Sequence, residues 1–429
     1  MTFFILTFGC KVNQCESENI QKSMEEDGFE ACESFEKAEI VLLNSCAVTA
    51  ESVRKLRRSI HKIKHKNPNC ILAVTGCVAQ AESDEISKMS EVDIIIGNAN
   101  KSEIPSIIKR YLSDKRPTLK VDPIFSLKTF PHEIVNYSPH RSRAFLKIED
   151  GCNRFCSYCI IPYARGRVRS KNLADIENDV KFLAKNGYKE VVLVGINLSS
   201  YGMDIGKNLA DAVSVVCSVD GIERVRLSSL EPDLMTDEIL LRLSKEPKLC
   251  HQFHLALQSG SNKILSSMRR RYTREEYIKV VHKIKKIFPN ATFTTDLMVG
   301  FPEENETDFK DSLDLIEKVE FLKVHVFPYS VRPGTLAETF DGQIPKAVKA
   351  KRVHEVMEKS SETCQKVLKS FVGKMCDVLY ETRDADGLYE GYTKEYIPVK
   401  TKSPEDLRGK IIPTKMGTVK DNYILCEYI

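Results

Sequence analysis

Cys152, Cys156 and Cys159 occupy the run Asp150-Gly-Cys-Asn-Arg-Phe-Cys-Ser-Tyr-Cys159, a C-x3-C-x2-C spacing. Three thiolates on one short loop can hold a four-iron cluster but cover only three of its irons. The fourth iron stays open to a ligand. An open metal position serves catalysis, whereas a fully ligated one is a structural staple. Zinc is the competing reading of Cys156 and Cys159. It needs a second pair of ligands, and the next cysteines, Cys217 and Cys250, stand singly, while His251 and His254 lie in an expected strand with no cysteine pair beside them. Gly151 and Gly166 flank the loop and allow it to wrap tightly around a bulky inorganic core.

The bulk numbers bound the rest. A chain of 429 residues is too long for one ordinary domain, so two or three are expected. It is 42% hydrophobic and 29% charged, with a net charge of +4, a weak basic bias that says little about nucleic acid. The start, TFFILTFGC, lacks a basic region and a small-residue cleavage site, so it reads as a strand and not as a signal peptide. No apolar stretch approaches the ~18 residues that span a bilayer, and no membrane association is expected. Fourteen cysteines without an export signal point to a reducing compartment, the cytoplasm, where cysteine clusters bind metals more often than they form disulfides.

Residues 1–111 alternate short β-branched runs (Phe3–Phe8, Ile40–Leu43, Ile71–Val74, Val92–Ile96) with helical stretches near Asn13–Asp27, Ala50–Lys66 and Ala79–Lys88. This pattern predicts an open α/β domain with a buried parallel sheet. Residues 112–140, with Pro117, Pro123, Pro131 and Pro139, read as a linker. A second alternation over 141–344 has strands at Ala144–Ile148, Glu190–Val194, Arg224–Ser228, Gln252–Leu257, Thr292–Val299 and Leu322–Phe327. Six βα units predict a partial barrel that curves without closing. A charged helix follows over 345–370. Residues 371–429 break into short runs (Met375–Tyr380, Leu388–Thr393, Tyr396–Val399, Lys410–Thr414, Tyr423–Tyr428) that predict a small β-barrel of about five strands.

Cys10, Cys46 and Cys77 each fall just past the end of a predicted strand. In a parallel sheet such ends share the ligand-binding edge, so the three are expected to be neighbours in a shared metal site. Taken singly, each reads as an ordinary buried core cysteine. The helix at Ala50–Lys66 carries Arg54, Lys55, Arg57, Arg58, Lys62, Lys64 and Lys66 against Glu51, either a phosphate-binding face or a solvated one. Arg165, Arg167 and Arg169 follow the cluster loop and Arg269 to Arg271 precede Tyr272, where they could hold RNA or a cofactor. In the C-terminal segment basic residues do not outnumber acidic ones. Tyr389, Tyr392 and Tyr396 there either stack on splayed bases or are ordinary strand residues.

The C-x3-C-x2-C loop after the first strand of a βα barrel resembles the radical S-adenosylmethionine superfamily. In that superfamily the open iron binds S-adenosylmethionine, and one-electron cleavage gives a 5′-deoxyadenosyl radical. The runs Thr7-Phe-Gly-Cys-Lys-Val-Asn-Gln14, Asn44-Ser-Cys-Ala-Val48 and Thr75-Gly-Cys-Val-Ala-Gln80 are similar to the amino-terminal signature of methylthiotransferases. So are Ile160-Ile-Pro-Tyr-Ala-Arg-Gly166, Leu257-Gln-Ser-Gly-Ser261, Asp296-Leu-Met-Val-Gly-Phe-Pro302 and Val326-Phe-Pro-Tyr-Ser330. The resemblance covers essentially the whole chain in order. Ala256, where the family often has Pro, and Glu149, where Gln is common, are departures outside the predicted ligands.

The resemblance implies two four-iron clusters. One sits on Cys152, Cys156 and Cys159 and acts catalytically. The other sits on Cys10, Cys46 and Cys77 and supplies sulfur. It further implies an S-adenosylmethionine pocket at Gly195, Asn197, Ser229, Glu231, Gln258, Ser259 and Gly300, and a C-terminal TRAM domain that contacts a tRNA substrate. Gly-Cys-Lys-Val-Asn-Gln is most similar to the branch acting on N6-threonylcarbamoyladenosine at tRNA position 37. The expected function is insertion of sulfur at adenine C2 followed by methylation, with a separate sulfur donor and electron donor. Two readings compete: the same chemistry on another tRNA adenosine or a protein side chain, and a non-catalytic RNA-binding or electron-carrying iron–sulfur protein.

Overall fold

A computed structural model of the chain describes residues 1–131, 133 and 141–427; Pro139 and Tyr428, assigned above to the linker and the last strand, lie outside them. The chain forms two compact units. The first comprises Met1–Asn136, Glu149–Ser170 and Ser330–Glu338; the second comprises Tyr137–Ile148, Lys171–Tyr329 and Thr339–Ile429.

The first unit is built on a parallel sheet of six strands, in spatial order Glu30–Ala31, Thr2–Thr7, Ile40–Ser45, Ile71–Gly76, Ile94–Ile96 and Thr118–Lys120. Alternate residues face opposite sides, and both sides are covered, which explains the unbroken apolar runs. Ile40 and Leu42 pack with Ile20, Met24, Ile104 and Ile108 on one face, and Val41 and Leu43 pack with Val53, Leu56, Ile60 and Ile63 on the other. The helix Ala50–Lys66 starts where the Thr49 hydroxyl accepts from Ser52 N at 3.1 Å. Ile160 and Ala164 join the second of these cores beside Cys77 and Val78, which ties the cysteine loop to this sheet.

Two local expectations are corrected here. The stretch read as linker supplies the edge strand Thr118–Lys120, paired in parallel with Ile94–Ile96. Pro117 and Pro123 flank it, and a three-residue edge strand tolerates prolines that a central strand would not. The helix expected over Ala79–Lys88 is two short ones, Cys77–Ala81 and Ser83–Ser87.

In the second unit the six strands expected of the partial barrel form two parallel sheets. One holds Arg143–Lys147, Glu190–Val194 and Arg224–Leu227; the other holds Ser229–Leu230, Gln252–Leu255, Thr292–Val299 and Lys323–Pro328. The third strand is shared. Its lower half pairs with Glu190–Val194 and its continuation at Ser229–Leu230 pairs with His254 and Leu255. After the helix Lys346–Phe371 comes a mixed sheet of six strands between Met375 and Leu425. Thr418–Lys420, too short to show a period, is the strand the sequence reading omits. Among the described residues no helix is long and apolar enough to cross a membrane.

The C-terminal sheet seats on the starting ends of the barrel strands. Arg224 Nη2 donates to Asp377 O at 2.7 Å, and Arg226 Nη2 donates to Thr393 O at 3.2 Å. Arg226 Nε pairs with Glu190 Oε1 at 2.7 Å and Arg143 Nε with Glu381 Oε1 at 2.7 Å. Tyr392 and Tyr396 stack on each other at 4.5 Å, and the Arg143 and Arg226 guanidiniums lie over the Tyr396 ring. These two tyrosines are therefore committed to an internal contact and are not free to stack on bases, and Tyr389 is buried in the C-terminal core.

Burial alone would raise the Glu190 carboxyl pKa, but Arg226, Arg143 and Arg224 outweigh it and hold it below its ordinary 4.5. A carboxyl lowered on folding stabilises the protein above its unfolded pKa and loses that contribution as pH falls through the folded value. Glu190→Gln strands buried cations and is expected to cost about 3–5 kcal/mol. Urea unfolding at pH 7 measures it as a lower midpoint, and the gap to wild type should narrow as pH falls below 4.5.

Candidate functional site

The three strand-end cysteines of the first unit follow adjacent strands. Thr2–Thr7 pairs with Ile40–Ser45, which pairs with Ile71–Gly76, all in parallel, so Cys10, Cys46 and Cys77 leave one edge of the sheet. Gly9 (φ +105°) makes this possible: a Cβ there would lie 2.6 Å from Cys46 Cβ and 3.0 Å from Cys46 Sγ. Gly76 is equally confined, with Ser45 O 2.4 Å from where its Cβ would sit. Burial, then the nearby Cys77 and Cys10, push the Cys46 thiol up to about 12. Cys10 Sγ lies 3.3 Å from Asn13 Oδ1, and Asn98 Nδ2 lies 3.8 Å from Cys77 Sγ.

The second triad lies in the same unit. Gly151 (φ +86°) lets Asp150 turn into the loop, and a Cβ there would be 2.0 Å from Arg167 O. Cys152 N donates to Gly166 O at 3.0 Å and Cys159 N to Cys156 O at 3.0 Å, closing the loop at both ends. Phe155, inside it, has φ +51°, a left-handed conformation costly for a residue with a Cβ. No disulfide engages any of these six thiols.

Arg165 links the two loops. Its side chain is 1% exposed, and Nη1 and Nη2 grip Glu16 Oε1 and Oε2 at 2.8 and 3.1 Å. Nη1 also reaches Asp150 Oδ1 at 3.1 Å, and Nη2 reaches Asn13 Oδ1 at 3.2 Å. Asn13 is the residue that meets Cys10, and Asp150 accepts from Gly151 N at 2.8 Å. A hydrogen-bonded path therefore runs from Cys10 through Asn13, Arg165 and Asp150 to the backbone before Cys152. Burial opposes the charge on Arg165, but Cys77, Glu16 and Asp150 outweigh it and hold its pKa well above the ordinary arginine value. Arg169 is buried too, pairing with Asp150 Oδ2 at 3.5 Å. The expectation that Arg165 and Arg169 hold RNA or a cofactor is thus corrected, since both are consumed inside the protein; Arg167 is exposed.

The residues expected to hold S-adenosylmethionine lie in the second unit, at the finishing ends of the strands. Gly195 and Asn197 follow Glu190–Val194, and Ser229 begins the continuation of Arg224–Leu227. Glu231 pairs with Arg270, and its N–H donates to Ser199 Oγ at 2.8 Å. Gln258 has φ +65° and is pinned on both sides, donating to Asp296 O and accepting from Met298 N, each at 2.9 Å. Ser259 Oγ accepts from Ser261 N at 3.2 Å. At Gly300 (φ +71°) the room for a Cβ is filled by Lys349, 2.4 Å away, so that glycine serves the lysine stem.

Sequence reasoning missed a polar cluster on three neighbouring strands of this unit. His254 Nε2 lies 3.3 Å from Asp296 Oδ2, His254 Nδ1 lies 3.0 Å from Thr294 Oγ1, and the His325 ring centre is 6.0 Å from that of His254. Burial raises the Asp296 pKa, but the hydrogen bond and charge of His254 outweigh it and leave the carboxyl low. The signal was the period of two in His254 and Asp296, each two residues from a polar partner on one strand face.

The basic helix is partly used up. Lys64 pairs with Asp93 at 2.9 Å, Lys66 with Glu36 at 3.2 Å, and Arg54 with Glu51. Lys55, Arg57 and Arg58 remain exposed.

Two observations test the fit of the implied groups. Each triad offers three thiols outside any disulfide, the donor set of a cubane with one open iron and one short of a closed tetrahedral zinc site. Thr75 Oγ1 and Asn98 Oδ1, next to Cys77, and Ser228 Oγ and Gln258 Oε1, at the barrel strand ends, are buried with no hydrogen bond among the described residues. Such atoms call for polar ligand contacts. The residues therefore fit an iron–sulfur cluster at each triad and a polar cofactor along the strand ends.

Arg165→Met leaves Glu16 and Asp150 buried without their shared cation, at a cost of about 3–5 kcal/mol. Arg165→Lys is expected to recover little, because a point charge cannot replace the two-pronged grip. Denaturant midpoints of the metal-free proteins check both.

Comparison with known proteins agrees with this geometry. Residues 146–316 match the family model described as "Radical SAM superfamily", and residues 2–97 match "Uncharacterized protein family UPF0004". The chain is 37% identical to the threonylcarbamoyladenosine tRNA methylthiotransferase MtaB of Aquifex aeolicus, over 95% of this chain and 98% of that one. It is 38% identical to the tRNA-2-methylthio-N(6)-dimethylallyladenosine synthase of Clostridium botulinum, over 96% and 94%. Among solved structures, the radical S-adenosylmethionine methyltransferase TsrM of Kitasatospora setae superposes with a TM-score of 0.59 at 13% identity, over 78% of this chain and 76% of that one, a likeness of fold alone. The chain belongs to the radical S-adenosylmethionine tRNA methylthiotransferase family.

Proposed function

We propose that this enzyme inserts sulfur at adenine C2 of N6-threonylcarbamoyladenosine at tRNA position 37 and methylates it. The observation that carries the reading is the pair of cysteine triads joined through Arg165 in one unit. Cys152, Cys156 and Cys159 would hold the catalytic [4Fe-4S] cluster and leave one iron open. Cys10, Cys46 and Cys77 would hold the second, which presents sulfur. Gly195, Asn197, Ser229, Gln258 and Ser259 would line the S-adenosylmethionine pocket, with Glu231 set by Arg270. Bound there, S-adenosylmethionine supplies both a one-electron route to an inert C–H bond and a methyl group. The chain's residues orient and shield it: Gln258 is held in a strained conformation by two strand hydrogen bonds, the kind of strain that persists at functional sites.

The domain limits that go with this reading are 1–111, extended by the edge strand Thr118–Lys120, then 141–344 and 371–429, with the last as a TRAM domain. The reading includes a separate sulfur donor and electron donor, and a tRNA-modifying role supports a cytoplasmic location.

The substrate branch rests on the run Gly9-Cys-Lys-Val-Asn-Gln14, since relatives named for either adenosine are about equally similar. Nucleoside mass spectrometry of tRNA from a deletion strain tests it. The methylthio derivative of threonylcarbamoyladenosine should vanish while its unthiolated parent accumulates. Loss of a methylthio-isopentenyl nucleoside instead would assign the other branch.

A further inference from the structure

Three aromatic rings and a guanidinium form one platform beside the Cys152 loop, exposed at Phe125, Tyr163 and Arg167 and half-buried at Phe155. Phe125 and Tyr163 are 41% and 45% exposed. The Tyr163 ring meets Phe155 edge-on at 5.7 Å and 85° and Phe125 at 6.4 Å and 90°. The Arg167 guanidinium lies 4.6 Å from the Phe155 ring centre and 5.9 Å from that of Phe125. All four residues belong to the first unit. Phe155 lies between Cys152 and Cys156 and holds φ +51°, so its ring is held at this place against backbone preference.

We propose that this platform stacks an unpaired RNA base flanking the target adenosine. An enzyme that acts on a base in a loop must splay it from its neighbours, and a neighbour that loses its stack needs a replacement surface. Aromatic faces supply that surface for any base, and an arginine among them adds cation–π attraction and a phosphate contact. A purely apolar protein partner would desolvate the Arg167 charge without pairing it, whereas nucleic acid pairs it. The inference rests on the tRNA substrate of the proposed function and adds where that substrate is gripped.

The test uses the full-length, cluster-loaded protein and an anticodon stem-loop RNA carrying 2-aminopurine on either side of the target adenosine. Wild type should quench the fluorescence of one of the two labelled RNAs on binding. Phe125→Ala and Tyr163→Ala, both outside the cysteine loop, should each weaken binding roughly ten-fold and abolish the quench. Tyr163→Phe should retain both, and iron content should stay at the wild-type level in all three. Arg167→Gln should weaken binding and lower its salt dependence. Unchanged affinity and quench in both alanine variants would overturn the platform, as would an effect confined to the rate of reduction by a protein electron donor. Failure of wild type to bind the stem-loop at all would overturn the tRNA reading along with it.

Discussion

Arg165 places a permanent positive charge where almost no water reaches, and the arrangement around the two cysteine loops follows from that. A buried guanidinium survives only when its donors are met, and here they are met from two directions. Glu16 and Asn13 come from the helix that follows Cys10, and Asp150 comes from the strand end that precedes Cys152. Neither loop can shift without stripping a partner from the charge. The cation also offsets part of the burial that pushes the Cys10 and Cys46 thiols up. Residues far apart in sequence thus behave as one support.

A second buried ionic cluster does comparable work in the other unit. Glu190 gathers Arg143, Arg224 and Arg226 at the starting ends of three strands, and the C-terminal sheet seats on these arginines through its backbone carbonyls. The expected cofactor residues Gly195, Asn197 and Ser229 lie past the opposite, finishing ends of two of these strands. The C-terminal sheet is fixed to the stable edge of the barrel, and its stacked tyrosines serve that attachment.

Much of this was legible in the sequence. Apolar runs of β-branched residues gave the parallel sheets, and strand-end cysteines gave their common edge, because period and chain direction are local properties. What stayed hidden depends on tertiary pairing. Arg165 and Arg169 look like surface charges in a basic run until Glu16, distant in the chain, closes over one of them. Tyr392 and Tyr396 look like base-stacking residues until Arg143 and Arg226 occupy their faces. Thr118–Lys120 has too few residues to show a period, and its flanking prolines mimic a linker. His254 and Asp296 were passed over because a metal reading needs a cysteine pair, while an ion pair across neighbouring strands needs only register.

The central claim is that one compact unit carries two separate cluster sites. Iron and acid-labile sulfide, counted after anaerobic reconstitution of the wild type and of a Cys10/Cys46/Cys77→Ala variant, test it most directly. The account predicts two clusters per chain in the wild type and one in the variant. An iron and sulfide content that does not change would contradict the amino-terminal site.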